Sequence, residues 1–158
     1  MEIHDNGPNP NAFDIETATV ENDAYRMVAW SGKNLQVTLM SIPPGESIGL
    51  EVHPETDQFL RLDKGTGRCV MGPEEDNLDF QQDVSDGWAV QVPAGVWHDV
   101  INTGDDDMRL YAIYAPVHHA PGIVQRTSAD AERDEDEGRD EPPSWSVQPG
   151  DGASDTHA

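Results

Sequence analysis

Turn-forming residues break this chain so often that no long helix fits between them. From residue 31 to 107 the stretches SGKN, PPGES, DKGTG, PEED, SDG, PAG and TGDDD recur between short apolar runs. Glycine supplies backbone conformations that other residues avoid, and proline presets the first corner of a turn. The runs they separate, at 25–30, 35–42, 50–53, 58–63, 68–71, 79–84, 88–92, 97–102 and 108–115, have the character of strands. Short β-type runs at regular spacing predict an all-β sandwich or barrel. Alternation sets the phase of two of them, through Leu35, Val37 and Leu39 and through Leu60 and Leu62.

Composition changes near residue 127. Residues 127–158 carry ten acids against two arginines and few large apolar residues, Trp145 being the one anchor. Such a segment buries too little surface to offset its ordering entropy. The expected organisation is a β-domain over residues 1–126 and an acidic, disordered tail over 127–158, with a helical turn in the tail as the main helical signal.

The whole chain has 31 acidic and 9 basic residues, a formal charge of −22, and Lys33 and Lys64 are its only lysines. That surface repels nucleic acid and anionic membrane. The acids run along the whole chain, which favours adaptation to a salt-rich cytoplasm, as in a halophile, over a dedicated acidic docking surface. Cys69 stands alone, so no intrachain disulfide forms. No stretch approaches the roughly 20 apolar residues of a membrane span, and the first residues have neither a basic start nor an apolar run. A cytoplasmic protein is expected.

Polar groups sit where strand phase points inward. Glu51 and His53 are two apart and share a face; Gln58 is in phase with Leu60 and Leu62; His98 is in phase with Val100 and Asn102. Glu51, His53, Gln58 and His98 could therefore point into one barrel. A register shift of one would bring in Asp57 and turn Gln58 outward.

These residues resemble the two motifs of the cupin superfamily, a small jelly-roll β-barrel. The first family motif reads Gly, five residues, His-x-His, three or four residues, Glu, six residues, Gly. Here it is Gly45, five residues, Glu51-Val52-His53, four residues, Gln58, six residues, Gly65. The second is matched throughout by Gly87, five residues, Pro93-Ala94-Gly95, two residues, His98, three residues, Asn102. The pattern is similar to small single-domain cupins grouped with mannose-6-phosphate isomerase.

The resemblance implies one divalent metal held by Glu51, His53, Gln58 and His98. Glu replaces the family's first His and Gln its Glu, so two imidazoles, one carboxylate and one amide oxygen remain. That set suits Zn, Mn, Fe, Co or Ni. A metal-free pocket is the alternative. A small-molecule ligand and a homodimer are further implications. Three activities stay open: a metal-dependent isomerase or lyase acting on a small oxygenated metabolite, a non-haem Fe or Mn dioxygenase, and a non-catalytic binding module.

Other groups carry less. His118 and His119 read as surface histidines beside prolines, with closure of the barrel mouth as the other possibility. Tyr111 or Tyr114 could line the cavity, Trp88 and Trp97 read as structural, Asn102 as a strand-end hydrogen-bonding residue and Cys69 as a small buried hydrophobe. Arg61, out of phase with its leucine neighbours, should point outward, whereas the pattern gives Arg26 no position.

Overall fold

The computed structural model describes residues 2–148. They form nine strands and two helices: α1 (Ile15–Glu21), β1 (Arg26–Ser31), β2 (Gln36–Ile42), β3 (Asp57–Lys64), β4 (Thr66–Gly72), β5 (Phe80–Ser85), β6 (Ala89–Val92), β7 (Trp97–Asn102), β8 (Met108–Ala115), β9 (Val124–Gln125) and α2 (Ser128–Asp136). Two antiparallel sheets result, one in the order β6-β3-β8-β2-β1-β9 and one in the order β5-β4-β7. This is the all-β jelly roll expected from the run spacing.

The core lies between the sheets. Leu60, Leu62, Leu110 and Met40 face Cys69, Val84 and Val100, all buried. Each large apolar side chain enclosed there contributes about 2 kcal/mol. The outer face of the larger sheet is closed by α1 and the N-terminal arm, with Ala18, Phe13 and Ile15 against Ala29 and Leu39. Helix α1 is too short to stand alone. Asp14 caps it by accepting from the Thr17 amide.

The β3–β4 hairpin turns at Gly65, whose φ of 90° belongs to the left-handed region. A Cβ there would meet the backbone of Met108 at 3.0 Å. Another glycine accounts for a departure from the expected strands. Residues 50–53 form no strand, and only Glu51 pairs, in an isolated bridge to His98. Gly49, at φ 101°, breaks the extended path just before it, and its amide is taken by Ser47 Oγ and Asp99 Oδ1.

A second departure concerns the expected disordered tail. Helix α2 starts in a capping box between Thr127 and Asp130. The chain then returns to the barrel through Asp140, and Val147 N donates to Lys33 O at 2.7 Å. Ala131 of α2 joins the buried core, but the other ties named here are polar bonds, which composition does not register. Residues 149–158, the rest of that tail, lie outside the described residues.

Candidate metal centre

The inner face of β3 alternates as its leucines require. Gln58, Leu60 and Leu62 are buried and Asp57 is exposed. Asp57 instead accepts from Ala94 N, tying the turn before β7. The shifted register that would have brought Asp57 inward is not the one formed.

Glu51 and His98 are direct partners. Glu51 N donates to His98 O at 3.1 Å and His98 N donates to Glu51 O at 2.9 Å. Opposed residues project to the same side of a sheet. His98 is 2 % exposed, and its Nδ1 lies 3.1 Å from Val96 O. Donation there leaves Nε2 as the free nitrogen. Gln58 sits opposite Tyr114 in the β3–β8 pair, and the Tyr114 ring is 6.1 Å from that of His53. The Gln58 Oε1 is enclosed and has no hydrogen-bond partner. A buried amide oxygen without a donor is costly, and a cation would satisfy it.

Glu51 Oε2 lies 3.3 Å from His53 Nε2. Ligand atoms of Glu51, His53 and His118 all fall within 4.8 Å of one another. His118 follows the cis Ala115–Pro116 bond at the end of β8. Its ring centroid is 4.4 Å from that of His53, and the His98 centroid is 5.2 Å from that of His53. His98 is thus a neighbour of the group but outside the 4.8 Å set.

The two histidines after β8 are not surface residues. His118 is half-buried and His119 buried. The His119 backbone is clamped by Gln36, whose Oε1 accepts from His119 N and whose Nε2 donates to His119 O, both at 2.8 Å. Its Nδ1 meets Asp140 Oδ2 at 2.8 Å. Nothing local in APVHHAPG announces this, because the partners come from residues far away in sequence.

Burial keeps these imidazoles neutral. It pulls His53 down to about 3, helped by the proximity of His118, His98 and Arg26. Burial likewise takes His118 and His119 to about 4, and His98 moves in the same direction. Burial raises Glu51. Neutral imidazoles beside a carboxylate and an amide oxygen are the donor state that a divalent ion needs. The site opens onto a cleft of about 620 Å³, bordered by Trp97 and, from the returning segment, by Glu135 and Gln148.

The remaining expectations resolve simply. Asn102 bonds Ile42 O and Asp106 O and accepts from Gly104 N, a strand-end role. Cys69 is buried in the core. Arg61 is partly exposed, and its Nε lies 3.3 Å from the buried Asp63 carboxylate. Tyr114 lies at the site, whereas Tyr111 packs in the outer cluster. Trp88 is 45 % exposed.

A jelly roll with imidazole and carboxylate groups gathered at one end is the cupin plan, and the chain belongs to the cupin superfamily. The model of the Cupin domain matches residues 38–114. Protein YrkC of Bacillus subtilis is 51 % identical over 134 residues, spanning 85 % of this chain and 72 % of YrkC. Protein L612 of Acanthamoeba polyphaga mimivirus is 37 % identical over 111 residues, 70 % of this chain and 68 % of L612. The crystal structure of a Bacillus halodurans protein superposes with a TM-score of 0.82 at 50 % identity, covering 83 % of this chain and 99 % of that one. No helix among the described residues is long and apolar enough to cross a membrane.

Proposed function

We propose that this cupin holds one divalent metal and acts on a small oxygenated metabolite at the mouth of its barrel. The observation that carries the reading is the grouping of Glu51, His53 and His118 within 4.8 Å, together with the unpartnered Gln58 oxygen. Glu51, His53, Gln58 and His98 are the ligands that the motif pattern supports, and His118 is a further donor of the same site. An ion held there would supply Lewis-acid polarisation of a substrate carbonyl or hydroxyl.

The chain's own residues define the rest. Val96 O fixes the His98 tautomer through Nδ1. Trp97 walls the cleft, and the buried Tyr114 ring stacks on His118. An isomerase-like reaction also needs a proton acceptor. His118, neutral and half-buried, is the group in position for that role when it does not ligate. A second reading, non-haem iron oxygen chemistry, gains from the composition of the Glu51, His53 and His118 set, because two imidazoles and one carboxylate form the facial set of such enzymes. Oxygen uptake by iron-reloaded protein with a candidate metabolite separates the two. Pairing of barrels into a dimer belongs to the same proposal and rests on the family resemblance.

Gln58→Leu tests the site without an assay of activity. Leucine removes a buried unsatisfied oxygen, so the metal-free protein should keep or gain stability. Zinc affinity, by calorimetric titration, should fall about tenfold or more. Lower metal-free stability with unchanged zinc affinity would make Gln58 a structural residue.

A further inference from the structure

Arg26 begins β1 with its side chain turned into the barrel beside Tyr25, opposite Met40 of the core. It is 7 % exposed. A buried guanidinium normally has its donors taken by a carboxylate, because an unpaired buried charge is expensive. Arg26 forms no ion pair among the described residues. Its Nη1 donates to Gln125 Oε1 at 3.3 Å. Gln125 in turn donates to Asp134, so the amide separates the guanidinium from that carboxylate. Nε is enclosed and has no partner.

The pattern of use matters. Nε and Nη2 form one edge of a guanidinium, and two parallel N–H groups there match the two oxygens of a carboxylate. Nη1, the group engaged by Gln125, is not on that edge. Arg26 lines a cavity of about 220 Å³ that also touches Glu51, His118, His119 and Asp140. Arg26 and two of the candidate metal ligands, Glu51 and His118, therefore border one cavity. His119, whose enclosed Nε2 also has no partner, lines the same cavity.

We propose that Arg26 is the anchor for a small carboxylate, whose far end reaches the Glu51, His53 and His118 cluster. This rests on the proposed function and names its substrate class. A monoanion fits better than a phosphate dianion, because Glu51, Glu135, Asp140 and Glu141 all line the same cavity and would repel a second negative charge. The anchor is built by β1, β9 and the returning C-terminal segment, so it lies outside both sequence motifs.

Glycolate and its neutral analogue glycolamide are the probes, titrated into full-length protein while the Arg26 Nε–H signal is followed by NMR. The signal is assigned through its own backbone amide, so no variant is needed. Chelator-stripped and zinc-loaded samples are run in parallel. Glycolate should shift the signal saturably in both samples and bind about tenfold or more tightly than glycolamide. Arg26→Gln should lose that preference while keeping its zinc content. An Arg26 signal that glycolate leaves unmoved, or equal binding of acid and amide, overturns the anchor. Tighter binding of inorganic phosphate overturns the carboxylate class. A preference for glycolate in stripped protein sustains the anchor even if the metal proposal fails, and elemental analysis judges the metal separately.

Discussion

Lowering the pH of the metal-free protein from 7 to 5 at fixed high salt is expected to lower its stability by several kcal/mol. His53, held at about 3, and His118 and His119, held at about 4, are neutral in the folded state. In the unfolded chain each returns to about 6.5. Below that value the unfolded state binds protons that the folded state refuses, so stability is intact above 6.5 and drains away as pH falls toward 4. At pH 5 each histidine accounts for about 2 kcal/mol. Glu51 and Asp99, raised by burial, work in the opposite direction, because the folded state takes up their protons first. Asp140, held at about 2 despite burial by the His119 bond, adds a further loss below pH 4. High salt is needed because 31 acids repel one another, and their neutralisation would otherwise favour the fold. A melting temperature that is flat or rises from pH 7 to 5 would mean that these imidazoles are not held neutral.

Asp140→Ala is expected to cost about 3 kcal/mol. Both carboxylate oxygens are in use, Oδ2 with His119 Nδ1 at 2.8 Å and Oδ1 with Ala120 N at 2.9 Å. The pair is sealed, with side-chain exposures of 7 % and 6 %. Alanine leaves two buried donors without acceptors, each worth about 1–3 kcal/mol. For a chain of this size the melting temperature falls by about 6–12 °C. Asp140→Asn retains an acceptor for His119 and should lose less. The change also reaches the cleft, because residues 135 and 148, which border it, belong to the segment that Asp140 pins. Hydrogen exchange should quicken across α2 in the alanine variant. An unchanged melting temperature would show that the segment does not depend on this bond.

Much of the fold was legible because strand phase is a two-residue code. Leu60 and Leu62 place Gln58 inward, and Val100 and Asn102 do the same for His98, as the burial of all these residues bears out. The turn glycines set where the strands end. The code fails where extended phase breaks. The register of β1 shifts between Val28 and Trp30, so Val28 and Ala29 are both buried and the inward turn of Arg26 cannot be read from alternation. It fails again after β8, where residues 118 and 119 are buried by groups from residues 36 and 140. Composition registers only the low apolar content of residues 127–148, whereas a capping box, the buried Asp140 carboxylate, the Val147–Lys33 bond and Ala131 in the core order that segment. Helix α1 is carried by its Asp14 cap and by packing, which propensity does not register.

Metal content decides the central claim most directly. Protein purified without an affinity tag, in high salt, is compared with Glu51→Ala by elemental analysis after reloading with zinc, manganese or iron. The account predicts one metal per chain in the wild type and almost none in the variant, with both proteins folded by circular dichroism. Stoichiometric metal that persists in Glu51→Ala, or a wild type that stays metal-free after reloading, would contradict it.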